Sequence, residues 1–86
     1  MNLVFADDAW EEYLHWQETD PKTHKRIHQL FRDIMRDPYR GIGKPVPLKH
    51  ALQGYWSRRI TAEHRLVYRV SGDDVRLAQL RHHYRR

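Results

Sequence analysis

The chain has no cysteine among its 86 residues. This absence excludes a disulfide scaffold, a thiolate nucleophile and a thiolate metal site, and it is typical of a reducing compartment. No apolar run approaches the roughly 20 residues of a membrane-spanning helix, and the N-terminus lacks a signal-peptide pattern. We therefore expect one soluble, cytoplasmic domain over residues 1–86, with no membrane partner.

Acidic residues are scarce in the second half of the chain. Residues 1–40 hold six Lys and Arg against eight Asp and Glu, a balance of −2, whereas residues 41–86 hold ten against three, a balance of +7. A basic half of this kind favours a polyanion as partner, and nucleic acid is the commonest one. A basic surface that is merely solvated remains the alternative.

Apolar periodicity predicts a short strand and then two helices. Residues 2–5 suit a strand, and Asp7 or Asp8 can cap the helix that follows. Asp20 and Pro21 are typical of a second N-terminus, and the second helix should end near Asp37. The residues expected to face inward on the two helices are Trp10, Tyr13, Leu14, Gln17, Ile27, Leu30, Phe31, Ile34 and Met35.

The pattern changes from helical to extended after a loop at 38–47 that is rich in proline and glycine. Residues 55–60, 65–70 and 75–80 are typical of strands, with a hairpin turn at 71–74. Alternation along the middle strand places Leu66 and Tyr68 toward the core and Arg65 and Arg69 on the other face. The predicted fold is α+β, in the order β-α-α-β-β-β with a further strand allowed: two helices pack on one face of a twisted antiparallel sheet of four to five strands, and the other face is left open and basic.

The chain ends in Arg81, His82, His83, Tyr84 and two further arginines. Guanidinium groups bind phosphate oxygens, an imidazole can transfer a proton near neutral pH, and a phenol can stack on a base. These groups suit a phosphodiester substrate. A disordered basic end would show the same composition, so the run by itself is a weak signal.

Three segments together with the terminal His83 and Tyr84 resemble the YoeB toxins of the Txe/YoeB branch of the RelE superfamily. They are 13–20 (YLHWQETD), 43–50 (GKPVPLKH) and above all 54–68 (GYWSRRITAEHRLVY). The resemblance implies a RelE-like, microbial-ribonuclease-like fold. It also implies a metal-independent mRNA interferase, without cofactor, that cleaves mRNA in the ribosomal A site and is neutralised by a YefM antitoxin.

Roles for individual residues follow from the same resemblance. It implies that Arg65 holds the phosphate in the transition state, that His83 is the general acid and that Tyr84 orients the substrate. The presence of Arg65, His83 and Tyr84 also argues against the gyrase-inhibiting ParE branch. The residues expected to contact RNA are Lys44, Lys49, His50, Arg58 and Arg59.

One position departs from the family pattern. The family has a glutamate as its proposed general base where this chain has Val46, and valine cannot accept a proton. General acid–base assistance typically contributes ~10²- to 10⁴-fold, so cleavage should be weakened by about that factor. Glu63 or His50 could act instead, and a non-catalytic toxin that only binds the ribosome or RNA is the alternative.

The expected partners are a YefM-type antitoxin, the 70S ribosome with its mRNA, operator DNA through the antitoxin complex, and a second copy in a homodimer. An acidic antitoxin segment that folds on binding would complement the basic face. His24 and His28, at i and i+4, have no evident third metal ligand, so we expect no zinc site.

Strand register decides whether Arg65 and His83 can meet. If Val70 pairs with Val75, strict alternation places the two side chains on opposite faces of the sheet, whereas pairing with Asp74 places them on one. A bulge would also bring them together.

Overall fold

The computed structural model describes residues 1–82. Its elements follow the predicted order. They are β1 (Asn2–Phe5), α1 (Asp7–Thr19), α2 (Pro21–Arg36), β2 (Val46–Pro47), a 3-10 turn (His50–Leu52), β3 (Trp56–Arg59), β4 (Arg65–Ser71) and β5 (Asp74–Gln79).

The five strands form one sheet in the order β1-β5-β4-β3-β2. β1 runs parallel to β5 and every other neighbouring pair is antiparallel, so the sheet is mixed. The predicted fold class is confirmed, with this one difference at the β1 edge. Because two helices separate β1 from the rest of the sheet, no tight turn forces it to be antiparallel.

The two helices begin in different ways. Asp20 caps α2 as predicted, since its Oδ1 accepts from the Thr23 amide at 3.2 Å and its Oδ2 accepts from the Thr23 hydroxyl at 2.8 Å. At α1 the predicted cap is wrong: the N-cap is Ala6, which has no capping side chain, and Asp7 and Asp8 lie inside the first turn. Their carboxylates act there through the helix dipole rather than as caps.

Most of the predicted helix stripe reaches the core. Ile27, Leu30 and Ile34 are fully buried and Phe31 nearly so, while Met35 at the edge of the stripe is 39% exposed. The stripe packs against the sheet side chains Leu66, Tyr68, Val75 and Leu77.

The two indoles of α1 have different surroundings. Trp10 was expected to face the core but is 45% exposed, and its ring stacks on Tyr13 with 5.4 Å between centroids. Trp16 is buried, and its Nε1 donates to the carbonyl of Leu80 at 2.8 Å. That bond joins α1 to the chain that leaves the sheet after β5.

The β4–β5 hairpin pairs Val70 with Val75, the first of the two registers considered above, across a turn in which Gly72 has φ +59°. The register shifts between Val67 and Tyr68, which marks a bulge on β5. Strict alternation therefore does not extend past the bulge toward the C-terminus.

Two further features concern membranes and metals. Within residues 1–82, no helix is long and apolar enough to cross a lipid bilayer. The rings of His24 and His28 lie 4.3 Å apart, and the Tyr13 hydroxyl is 2.8 Å from His28 Nε2. The same part of the chain has no group of three metal-ligating side chains.

Candidate nucleic-acid interface

The face of the sheet opposite the helices, here called the open face, carries arginines in facing pairs. Arg59 on β3 is directly opposite Arg65 on β4, and Arg69 on β4 is directly opposite Arg76 on β5. Like charges in such positions destabilise a sheet. The arrangement produces a concentrated positive potential that an anionic ligand would relieve.

A hollow at one end of this face gathers several of the predicted site residues. It has a volume of ≈ 260 Å³ and is lined by Lys44, Val46, Ser57, Arg59 and Arg65. We call it the basic hollow. Val46 lies opposite Ser57 in the register and is 47% exposed, so the position of the expected general base opens directly onto the three cations.

Arg65 is held at the edge of the basic hollow by the turn that precedes β4. Its Nη1 donates to the carbonyls of Thr61 at 3.2 Å, Ala62 at 3.4 Å and His64 at 3.4 Å. These long bonds fix one end of the guanidinium. Within residues 1–82 no acceptor bonds its Nε or Nη2, so the group can still bind a phosphate.

The chain after β5 returns to Arg65. The Arg65 amide donates to the carbonyl of His82 at 2.9 Å, and the His82 amide donates to Nδ1 of His64 at 2.7 Å. Gln79 strengthens the bend, since its Nε2 donates to the carbonyl of Arg81 at 2.6 Å. The last described residue is therefore hydrogen-bonded to Arg65. The predicted catalytic residues His83 and Tyr84 lie outside the described residues.

His64 connects this bend to the helix layer. Its ring lies 4.8 Å from that of Trp16 and 5.6 Å from that of His82. Burial lowers the pKa of His64, and the neighbouring His82 lowers it further. A neutral ring is the form that can accept the His82 amide at Nδ1.

The structure overturns the prediction that Arg58 contacts RNA. It was expected to contact RNA, but it lies on the helix side of β3 with no exposed surface. All five of its N–H groups are bonded within the protein. The acceptors are the Tyr68 hydroxyl at 3.0 Å, the Asp33 carboxylate at 2.5 Å, and the carbonyls of Ile42 at 3.1 Å, Asp37 at 2.8 Å and Arg40 at 3.0 Å.

Asp33 on α2 is the counter-ion of Arg58 and also bonds Arg36 and the amide of Ile42. Burial alone would raise the pKa of Asp33, but its hydrogen bonds outweigh that effect and lower the pKa from 3.8 to about 2. Sequence reasoning missed this pair. A carboxylate beside the apolar stripe and an arginine at an inward strand position were the signals that could have revealed it.

The remaining predicted residues lie away from the basic hollow. Lys49 and His50 are exposed at the 3-10 turn, where His50 has φ +58°, and Glu63 is exposed in the turn before β4. None of the three lines the hollow, and the described residues that do line it include no carboxylate and no imidazole.

Comparison with known proteins agrees with this architecture. The family model described as "YoeB-like toxin of bacterial type II toxin-antitoxin system" matches residues 5–84. Toxin YoeB of Escherichia coli (strain K12) is 52% identical over 98% of this chain and 100% of its own length.

Solved structures give the same result. A YoeB/ParE toxin from Agrobacterium tumefaciens superposes with a TM-score of 0.95 at 50% identity, covering 98% of this chain and 100% of that one. The toxin in a YoeB–YefM complex from Staphylococcus aureus has a TM-score of 0.91 at 42% identity, covering 98% of each chain. The protein therefore belongs to the YoeB-like toxins of bacterial type II toxin–antitoxin systems.

Proposed function

We propose that this toxin is a ribosome-dependent endoribonuclease that cleaves mRNA in the ribosomal A site, and that residues 1–86 act as a single toxin domain. The observation that carries the proposal is the basic hollow, where Lys44, Arg59 and Arg65 surround the position of Val46. The chain that leads to His83 ends its described course hydrogen-bonded to Arg65. A phosphate-binding arginine and an imidazole acid are the groups that such a cleavage needs.

In the proposed reaction, the 2′-hydroxyl oxygen of the RNA attacks the neighbouring phosphorus as its proton leaves. The new O2′–P bond replaces the P–O5′ bond, and the products are a 2′,3′-cyclic phosphate and a 5′-hydroxyl end. His83 protonates the departing 5′-oxygen, and Arg65 stabilises the charge on the phosphorane. Tyr84 orients the substrate. No metal ion takes part in these steps.

The described residues that line the basic hollow include no carboxylate or imidazole that could act as the general base. Val46 can take no proton, and the stand-ins Glu63 and His50 do not line the basic hollow. The 2′-hydroxyl would then lose its proton to water or to a group of the ribosome. We expect cleavage to be slower than with a carboxylate in place, by about the 10²- to 10⁴-fold that such assistance contributes.

The proposed partners are a YefM-type antitoxin, the ribosome and a second copy of the chain. Similar toxins have been solved as a YoeB–YefM complex and as a YoeB dimer, both from Staphylococcus aureus. The facing arginines of the open face would complement an acidic antitoxin segment. Contact with operator DNA would come through the antitoxin complex.

Cleavage of ribosome-bound mRNA, scored for a cyclic phosphate end, tests the proposal. Removing residues 83–86 or changing Arg65→Gln should abolish the product while ribosome binding persists. Arg32→Gln, an equal loss of charge at an exposed position on α2, is the control and should cleave normally. Undiminished cleavage by the Arg65→Gln variant would refute the assigned role.

A non-catalytic toxin that only occupies the A site is the second candidate, and the absent carboxylate is the observation in its favour. Val46→Glu separates the two. If the unmodified chain yields no cyclic phosphate and Val46→Glu does, the native protein is a binder. Equal rates for both would remove any special role for position 46.

A further inference from the structure

A second hollow lies on the open face, beside β1. It has a volume of ≈ 250 Å³, and the lining residues that carry its chemistry are Val4, Ala6, Tyr55, Arg76 and Ala78. Its lining shares no residue with that of the basic hollow. We call it the tyrosine hollow.

Tyr55 and Arg76 line the tyrosine hollow, and Arg69 lies next to the Tyr55 ring. The guanidinium carbon of Arg69 lies 5.8 Å from the centroid of the Tyr55 ring, within the range of a cation–π contact. Arg69 faces Arg76 across the β4–β5 register. The Arg76 side chain is 56% exposed, and its ion pair with Asp74 spans 3.8 Å, so it can still engage an anion.

An aromatic ring, small apolar side chains and two exposed arginines match the parts of one nucleotide. The base can stack on the ring, where every base presents a π-face, and the phosphate can bind a guanidinium fork. An acidic peptide would use the two arginines but has no planar group for Tyr55. The combination therefore favours RNA over an acidic protein segment.

We propose that the tyrosine hollow binds a nucleotide of the RNA strand that flanks the cleaved position. This inference rests on the proposed ribonuclease function. Arg65 and Arg69 belong to the same strand four residues apart, which corresponds to ~13 Å. The tyrosine hollow therefore receives a neighbouring part of the strand and not the scissile phosphate, so it acts on binding rather than on the chemical step.

The direct test is the affinity for a labelled hexaribonucleotide with 2′-O-methyl groups, which cannot be cut because the attacking hydroxyl is blocked. Tyr55→Leu should weaken binding by ~5- to 100-fold, the usual range for one base stacked on an aromatic ring, and Tyr55→Phe should bind normally. Arg69→Gln and Arg76→Gln should each reduce the slope of log affinity against log salt by ~0.7. Circular dichroism and the urea midpoint establish that each variant is folded.

Arg32→Gln is again the control, since it removes one charge from the helix side and should leave the affinity within 2-fold of the unmodified chain. The proposal is overturned if Tyr55→Leu binds as the unmodified chain does, or if the unmodified chain does not bind the hexamer at all. It is also overturned if the variants keep RNA affinity and lose only a glutamate-rich peptide, which would assign the hollow to an acidic protein segment.

Cleavage assays separate this inference from the proposed function. With ribosome-bound mRNA, Tyr55→Leu should raise KM and leave kcat unchanged, whereas Arg65→Gln should abolish turnover. Hexamer binding that depends on Tyr55, in a chain that yields no cyclic phosphate, would refute the ribonuclease function and leave the nucleotide site standing.

Discussion

Arg58 and Arg59 are adjacent residues of one type with opposite surroundings. The pleat of β3 directs Arg58 toward the helices, where its side chain donates to five acceptors, and Arg59 toward the basic hollow. Burying a guanidinium is tolerable only when every donor is bonded and a carboxylate is close. Asp33 supplies that carboxylate, and the Tyr68 hydroxyl and three loop carbonyls bind the remaining four donors.

Arg58→Lys should therefore destabilise the protein strongly although it keeps the charge. An ammonium group cannot satisfy the same set of acceptors, and breaking a buried pair of this kind costs about 3 to 5 kcal/mol. Urea unfolding measures the change. Arg59→Lys is the matched control and should change the free energy of unfolding by less than about 0.5 kcal/mol, because Arg59 is exposed. Equal losses in the two variants would contradict the structural role of Arg58.

The depressed pKa of Asp33 predicts a loss of stability in acid. The folded state holds this carboxylate ionised to about pH 2, while its ordinary pKa is 3.8. Between those values the unfolded chain binds the proton and the folded chain does not. The contribution is therefore complete above about pH 4 and is lost as the pH falls toward 2, amounting to about 2 kcal/mol.

Urea midpoints measured from pH 5 to pH 2 check this prediction, because Asp33→Asn should flatten the change over that range. If that variant does not fold, ¹³C NMR of the Asp33 carboxyl group in the unmodified chain gives the same answer. A midpoint of titration near 3.8 would contradict the geometry.

At the scale of elements, the two helices differ in how their N-termini are satisfied. Asp20 bonds the first turn of α2 through both carboxylate oxygens, whereas Ala6 has no side chain that can do so for α1. The first-turn carboxylates of Asp7 and Asp8 compensate only in part, because a dipole interaction on the surface is worth less than a capping bond.

Opposite substitutions should therefore move stability in opposite directions. Asp20→Ala should lower the free energy of unfolding by about 1 kcal/mol, and Ala6→Ser should raise it by about 0.5 to 1 kcal/mol. Urea denaturation of both variants, with Glu18→Ala as an exposed control on α1, provides the measurement. Destabilisation by Ala6→Ser would mean that the α1 cap geometry is wrong.

The elements were more predictable from sequence than their environments. Local apolar patterns, with Pro21 and Gly72 as boundaries, located both helices and four of the five strands, because these signals are local. The inward turn of Arg58, the outward turn of Trp10 and the parallel pairing of β1 depend on contacts between distant segments. A hydropathy pattern contains no information about such contacts.

The candidate site was likewise predictable from sequence only in part. The resemblance named Lys44, Arg59 and Arg65, and the fold brings them together in one hollow. It gave no indication of the tyrosine hollow, because Tyr55, Arg69 and Arg76 lie on three segments that only the β3–β4–β5 pairing aligns.

On the scale of the whole molecule, His64 connects the helix layer, the sheet and the C-terminal bend. Its ring packs edge-on against Trp16 of α1, and its Nδ1 accepts the amide of His82, whose carbonyl in turn binds Arg65. The bond at Nδ1 requires a ring that is unprotonated there. One of the bonds that hold the C-terminal bend beside the basic hollow therefore depends on the charge of this imidazole.

Acid should accordingly loosen this connection. Burial lowers the pKa of His64 below its ordinary value of 6.5, and the neighbouring His82 lowers it further. The other charged or titratable groups that face the ring are Glu63, which raises the pKa, and Arg81 and His15, which lower it. Because the folded state binds fewer protons than the unfolded chain, its contribution to stability is complete above about pH 6.5 and is lost as the pH falls through the folded pKa.

Protonation also removes the acceptor of the His82 amide, so hydrogen exchange at that amide should accelerate at pH 5 relative to the intrinsic rate. Comparing urea midpoints at pH 7.5 and pH 5 isolates the effect, since His64→Gln should show a smaller drop than the unmodified chain while the other histidines contribute equally to both. An equal drop in the two proteins, together with unchanged protection of the His82 amide, would show that His64 does not hold the bend in place.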